Sequence, residues 1–146
     1  MSKLLVRVWI KYCNKVTDVL GINVDKKEVY VENYDEEIDE YFFEAVSFDN
    51  VVFLHSTGLK DKNGKDIYEG DIVHKAYYTD YNNCCASEEF TGQIEYCQDG
   101  ACFVIKTTNN FYHTFLDLMH YSEDMKYLEV IGNIYENELL LKGGSN

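Results

Sequence analysis

The 146-residue chain has no proline and a single arginine, Arg7. Arginine is the side chain best suited to bidentate contacts with phosphates and base edges. The chain also carries 26 acidic against 13 basic residues, for a formal charge of −13. A strongly negative protein repels the phosphate backbone. Direct binding to nucleic acid is therefore not expected.

Long apolar runs, repeats, low-complexity tracts and segments rich in Gly, Ser or Pro are also missing. No apolar run approaches the roughly 20 residues that a spanning helix needs, and residues 1–7 lack a signal-peptide pattern. Five irregularly spaced cysteines suit a reducing cytosol better than a disulfide framework. We expect a cytoplasmic protein with no membrane contact.

Apolar and aromatic residues are abundant: the chain is 46% hydrophobic, with 13 Tyr and 8 Phe. Near the N-terminus, Leu4–Lys11 is predicted to be extended, and Val19–Asp25 and Glu28–Asn33 to form a hairpin. Residues 35–46 change pattern, because Ile38, Tyr41, Phe42, Ala45 and Val46 follow helical spacing. This spacing predicts one main helix in an N-terminal α+β part, residues 1–56.

The remainder, residues 57–146, reads as short strands separated by turn signals. We predict strands at 71–78, 92–97, 101–107, 111–116 and 128–135, which describe a small SH3-like β-barrel in a mainly β (α+β) protein. The two parts are expected to form one compact unit. The residues expected to make structural turns, several by adopting positive φ, are Gly58, Asn63, Gly64, Gly70, Asp99 and Gly100.

Parts of the sequence also resemble a known protein family. The blocks Thr57–Val73 and Leu128–Asn137 resemble the YopX family of phage and prophage proteins, and Val6–Trp9 resembles its first strand more weakly. The family's terminal motif usually has proline after the asparagine, where this chain has Glu138. The resemblance implies an SH3-like barrel with an N-terminal α+β part and a phage setting. It is compatible with a homo-oligomer and implies no assigned activity.

No motif supports a metal site or catalysis. Cys84, Cys85, Cys97 and Cys102, with His74 or His113, do not have the paired spacing of structural zinc ligands. The histidines are scattered, and there is no nucleophile elbow, phosphate-cradling loop or dinucleotide fingerprint. We expect no metal, no cofactor and no catalytic residue, although an uncharacterised enzyme remains an alternative.

The segment from Glu28 to Asp49 has nine acidic residues and no lysine or arginine. One interpretation is the solvated face of the predicted helix. The other is a negative surface that attracts a basic partner or imitates nucleic-acid phosphates. The residues assigned to this candidate surface are Asp35, Glu36, Glu37, Asp39 and Glu40.

A second candidate surface is a predicted long loop, residues 75–89, between the first two barrel strands. Tyr77, Tyr78 and Tyr81 lie on it, and tyrosines on polar loops provide large contact areas at low entropic cost. The alternative is an insertion with partly buried rings.

Three functions remain open at this point. The first is a non-catalytic phage accessory protein that binds a host protein, such as a nucleic-acid-binding or defence protein, through its acidic surface. The second is an oligomeric sponge that sequesters a host nucleotide signal. The third is an enzyme. Self-association is also expected, because 15% of the residues are aromatic and both ends of the chain have strongly apolar strands.

Overall fold

The computed structural model describes residues 5–81, 84–114 and 127–143 of the chain. The chain divides into two compact units, residues 1–56 and 57–146. Both consist mainly of antiparallel strands, which confirms a mainly β protein. No helix in the described ranges has the length and apolar character needed to cross a bilayer.

Unit 1 contains two groups of antiparallel strands. Strand β1 (Val6–Ile10) lies between β2 (Lys15–Asp18) and the first half of β6 (Val51–Lys60), which continues into unit 2. The second group is a three-stranded sheet in the order β3 (Gly21–Asn23), β4 (Glu28–Asp35), β5 (Glu40–Ser47). A short 3-10 helix, Phe48–Asn50, connects β5 to β6.

The core of unit 1 is built from small β-branched side chains. Its buried members are Val8, Ile10, Val19, Val29, Val31, Val46 and Val51. Strand β4 shows how the period-2 pattern produces this core: Val29 and Val31 are buried, whereas the residues on either side of each are not. The predicted hairpin between the segments around residues 19–25 and 28–33 is present as β3–β4, with Asn23 opposite Glu28.

The predicted helix at residues 35–46 is wrong. Residues 40–47 form strand β5, which pairs with β4 over eight positions from Glu28↔Ser47 to Asp35↔Glu40. Tyr41, Phe42 and Phe43 are consecutive aromatics, a residue type that favours strands. The acids that were expected to begin a helix instead make the turn of a hairpin. The only described α-helix is α1, Leu139–Gly143.

Unit 2 contains a five-stranded antiparallel sheet curled into a half-barrel. Its strand order is β11-β10-β9-β8-β12, so that the last strand pairs with the first. The strands are β8 (Asp71–Tyr81), β9 (Cys84–Cys97), β10 (Cys102–Thr107), β11 (Tyr112–Thr114) and β12 (Leu128–Asn133). The short β7 (Asp66–Tyr68) neighbours β6, and Ile67, Val73, Ile94, Ile105 and Leu128 form the buried core.

The long loop predicted at residues 75–89 is not observed as a loop. Strands β8 and β9 continue as a hairpin from Ile72↔Gln93 to Tyr81↔Cys84, so this segment is mostly paired backbone. Residues 82–83, between the two strands, lie outside the described residues. The end of the predicted strand 111–116 also lies outside them, from residue 115 onward.

We call Thr57–Val73 the first signature block and Leu128–Asn137 the second, because these segments carry the family resemblance. Buried polar contacts hold the first signature block in place. Asp61 is 6% exposed, and its Oδ1 accepts hydrogen bonds from the amides of Asn63 and Lys65, both at 2.9 Å. Its Oδ2 accepts one from the amide of Val130 on β12, also at 2.9 Å. Burial alone would raise the pKa of Asp61, but these hydrogen bonds and the nearby Lys65 charge lower it overall. One carboxylate therefore joins the turn to a distant strand.

Two of the turn glycines predicted in this block, Gly64 and Gly70, lie at bends of the backbone, with φ of 78° and 88°. Gly58 has the expected positive φ, at 81°, but it lies inside strand β6, so the turn predicted there is wrong. At these angles a β-carbon would be strained. Asn63 precedes Gly64 in the turn closed by Asp61, and it does not itself have positive φ.

The predicted turn at Asp99-Gly100 differs in detail from the observed one. Four residues, 98–101, connect the paired Cys97 and Cys102, and the positive φ falls on Ala101 at 50° rather than on Gly100. The amide of Ala101 donates to the carbonyl of Gln98 at 3.3 Å. The observed four-residue loop is therefore longer than the tight turn expected at Asp99-Gly100.

The second signature block ends in an asparagine-centred turn. The side-chain oxygen of Asn133 accepts from the amides of Tyr135 and Glu136 at 3.0 and 2.8 Å, and Asn137 Oδ1 accepts from the Asn133 amide at 3.2 Å. Gly132 is required here, because an added β-carbon would lie 2.7 Å from Asn137 Oδ1. Glu138, the departure from the family pattern, directly precedes helix α1.

Candidate functional site

The β4–β5 hairpin carries the acidic residues singled out from the sequence. We call residues 32–44 the acidic hairpin. Asp35 is the last residue of β4, Glu36, Glu37 and Asp39 lie in the turn, and Glu40 begins β5. The structure thus brings all five predicted residues together at one tip, although on a hairpin rather than a helix.

Local hydrogen bonds shape this tip. Asp35 Oδ1 accepts from the amide of Glu37 at 2.9 Å, which closes a short side-chain turn. Asp39 adopts a positive φ of 54°, a conformation that aspartate tolerates better than most residues. The hydroxyl of Tyr34 donates to Asp39 Oδ1. The bend is therefore made by carboxylates that also supply the charge.

Exposed apolar side chains accompany the acids, and the helical spacing did not predict that they would be exposed. Tyr41 is 71% exposed, Phe43 75% and Ile38 61%. Cross-strand pairing of Tyr34 with Tyr41 and of Glu32 with Phe43 places these four residues on one face of the hairpin. The rings of Tyr34 and Tyr41 are 5.0 Å apart. Helical spacing would have buried Ile38 and Tyr41, whereas strand alternation would have revealed the aromatic face.

The other face of the hairpin forms polar contacts, both within itself and with other residues of unit 1. Asn33 Nδ2 donates to Glu44, and Lys15 Nζ donates to Asn33 Oδ1 at 3.0 Å. The Tyr12 hydroxyl donates to Glu44 Oε1 at 2.5 Å. That hydrogen bond raises the pKa of Tyr12 to about 12, with burial and the carboxylate charge adding to the effect. These contacts fix the base of the hairpin and leave its tip free of described ties to other elements.

The tyrosines of the second candidate surface lie on strand β8. Their backbones pair with β9 as Tyr77↔Glu88, Tyr78↔Ser87 and Tyr81↔Cys84. Their side chains lie outside what the structure describes.

The histidines and cysteines weighed as metal ligands have ordinary contacts where they are described. His74 Nδ1 lies 3.0 Å from Thr91 Oγ1, and its Nε2 lies 3.3 Å from Glu89 Oε1. His113 stacks on Phe90 at a centroid distance of 4.6 Å. Cys97 and Cys102 are free thiols on paired strand positions. Among the described residues, no three His, Cys, Asp or Glu side chains are grouped to hold a metal ion.

A small cavity lies in unit 2, between the β10–β11 turn and helix α1. Its volume is about 220 Å³, and it is lined by Gln93, Lys106, Thr107, Thr108, Asn110, Leu141 and Lys142. Two of the lining residues, Lys106 and Lys142, are cationic. Lys142 also forms an exposed ion pair with Glu138 at 3.1 Å.

Comparison with known proteins agrees with the sequence blocks. The YopX protein family matches residues 6–142, and nothing among curated proteins matches. The fold is similar to the crystal structure of protein EF1440 from Enterococcus faecalis. That similarity has a TM-score of 0.52 and 28% sequence identity over 93% of this chain and 96% of the other. The match spans nearly the whole chain, so this protein belongs to the YopX family.

Proposed function

We propose that this chain is a non-catalytic binding protein, encoded by a phage, that holds a basic segment of a host protein on the acidic hairpin. The observation that carries the proposal is the combination on one hairpin of exposed Ile38, Tyr41 and Phe43 with acids that have no lysine or arginine among them. Exposed apolar patches bordered by polar residues are typical of protein interaction sites.

The two kinds of side chain have different roles in this proposal. Burying an exposed aromatic or isoleucine side chain contributes about 1.5–3 kcal/mol, so three such residues supply most of the affinity before the cost of association. The acids attract and select a basic partner and raise the association rate. A host protein that binds nucleic acid would present a basic surface of this kind. If that protein acts in host defence, blocking its basic surface would counteract the defence.

We also propose that unit 2 is an SH3-like barrel. The order β11-β10-β9-β8-β12, in which the last strand returns beside the first, supports this assignment. In this proposal the barrel is the scaffold. Tyr77, Tyr78 and Tyr81 on β8 are candidates for a second contact.

The test begins with affinity capture from host lysate by the full chain and identification of the partner by mass spectrometry. Binding of the purified partner is then measured for the Tyr41→Ser/Phe43→Ser double variant and for a matched control, Phe111→Ser/Tyr112→Ser. The control removes two aromatics of unit 2 that are also exposed. We expect Kd to rise at least tenfold for the first variant and to stay unchanged for the control.

Charge is tested separately with Glu36→Gln/Glu37→Gln. Both side chains are exposed in the turn, so the fold should be retained. The association rate should fall, and the salt dependence of that rate should become less steep. A partner with an acidic surface, or binding that neither variant affects, would refute the proposal.

A second candidate function, sequestration of a phosphorylated small molecule, is favoured only by the cavity at Lys106 and Lys142. Its volume of about 220 Å³ is below the 300–1,000 Å³ of typical ligand pockets, so it would hold one anionic group rather than a whole nucleotide. Titration with inorganic phosphate tests it: Lys106→Gln should weaken binding and the exposed control Lys60→Gln should not. Equal effects of the two variants would rule it out.

A further inference from the structure

Strand β5 forms an open edge in the described part of unit 1. The three-stranded sheet has the order β3-β4-β5, so β5 pairs on one side only. A strand at the edge of a sheet presents a row of unpaired N–H and C=O groups, which can accept another extended chain.

This edge differs from the other edge strands of the described sheets. Strands β3, β7 and β11 have three residues each and β2 has four. Strand β12 has six, and a bulge near Val130 and Gly132 interrupts its pairing. Strand β5 has eight residues in uninterrupted register with β4. It contains no lysine or proline, which are two of the usual means of blocking an edge.

The composition of β5 identifies the kind of chain that would pair there. Tyr41, Phe42 and Phe43 are exposed and favour β structure, and Glu40 and Glu44 add negative charge along the edge. A second copy of this chain carries the same net charge of −13 and the same acidic edge, so pairing two such edges is opposed by charge repulsion. A basic segment would meet opposite charges, which stabilise cross-strand pairs.

From these observations we infer that the acidic hairpin binds its partner by β-strand addition. An extended, lysine-rich or arginine-rich segment with alternating apolar residues pairs with the free edge of β5. Its backbone completes the sheet, its apolar side chains contact Tyr41 and Phe43, and its cations face the acids. This inference rests on the proposed function, because it specifies how the same hairpin binds its partner.

Two synthetic probes with equal charge separate strand addition from simple charge attraction. The first is an eight-residue peptide of alternating lysine and valine, and the second has proline in place of each valine. Proline removes the N–H groups and disfavours strand pairing, while both peptides carry four lysines. We expect the valine peptide to bind at least tenfold more tightly. It should also slow hydrogen exchange at alternate amides of β5, those that point away from β4.

A lysine placed on the edge provides the matched variant. Phe43→Lys adds a blocking charge on β5, and Tyr112→Lys makes the same change on the edge strand β11, where the ring is 58% exposed. The valine peptide should bind at least fivefold more weakly to Phe43→Lys and unchanged to Tyr112→Lys.

Each alternative outcome has a distinct meaning. Equal binding of the two peptides without protection of β5 would refute strand addition and leave the charge-based function standing. Binding of neither peptide would refute the function as well. If the β5 amides of the free protein are already protected and its mass is that of a dimer, a second copy occupies the edge and the inference is wrong.

Discussion

Replacing Asp61 with asparagine tests whether one buried carboxylate holds the signature turn to the barrel. The substitution keeps the size of the side chain and changes one oxygen into an NH2 group. Asparagine Oδ1 can still accept from Asn63 and Lys65. The NH2 group then faces the amide of Val130, which needs an acceptor where Asp61 Oδ2 lies 2.9 Å away.

The magnitude follows from these contacts. Leaving the partly buried Val130 N–H without a partner costs about 1–3 kcal/mol. The two retained hydrogen bonds lose their charge assistance, which roughly halves their strength. Rotating the side-chain amide by 180° is worse, because the N–H groups of Asn63 and Lys65 would then both face the NH2 group, which is a donor. We expect a loss of about 2–4 kcal/mol from a typical total of 5–15 kcal/mol.

The pH dependence has a definite sign. The pKa of Asp61 is lowered from its ordinary value of 3.8 in the folded state. Its ionised form therefore contributes stability above that ordinary value, and the contribution is lost as the pH falls through the lowered folded pKa. Wild type should be more stable than Asp61→Asn at neutral pH, and the difference should shrink in acid.

Denaturant unfolding at neutral and acidic pH, followed by tryptophan fluorescence and circular dichroism, measures both effects. Asp99→Asn is the control, since it makes the same charge change at an exposed turn residue. A loss below about 0.5 kcal/mol, the usual range for surface substitutions, would refute the reasoning. So would a difference that persists unchanged in acid.

Four further predictions concern two glycines, the hairpin aromatics and self-association. Gly64→Ala should cost about 1 kcal/mol because φ is 78°, and Gly64→Asn should cost less; equal unfolding midpoints would contradict this. Gly92→Ala should destabilise more, by about 2 kcal/mol, because its β-carbon would lie 2.7 Å from Lys106 O, and a wild-type melting temperature would contradict it. The Tyr41→Ser/Phe43→Ser variant should keep its stability within about 0.5 kcal/mol, as calorimetry can check. Self-association should appear in light scattering, and a monomeric mass at high micromolar concentration would exclude it.

That the protein is mainly β was predictable, because turn signals and β-branched alternation are local. Val29 and Val31 alternate with polar neighbours, and Asn63-Gly64 lies at an observed turn. The positive φ at Ala101 was not predictable, because loop length decided it rather than the Asp99-Gly100 pair.

The error at residues 35–46 has a physical cause. Apolar residues at Ile38, Tyr41, Phe42, Ala45 and Val46 fit helical spacing, but only Val46 is buried. Helical spacing shows which residues could share a buried face, but it does not show whether those residues are buried. Phe43 is the residue that argued against a helix. A large apolar residue outside the apolar face of a helix fits a strand with two exposed faces better than it fits an amphipathic helix.

The five acidic residues nevertheless lie together at one tip, because residues adjacent in sequence stay close in either secondary structure. What the sequence could not provide was their arrangement beside exposed aromatics on an open edge, since that depends on the pairing of β5 with β4.

The turns that mark the family and the hairpin proposed to bind a partner lie in different parts of the chain. The signature turns that mark the family, around Asp61 and Asn133, are buried and hydrogen-bonded in unit 2, whereas the acidic hairpin is an exposed part of unit 1. Substitutions in the first should therefore change stability, and substitutions at the hairpin tip should change binding without changing stability.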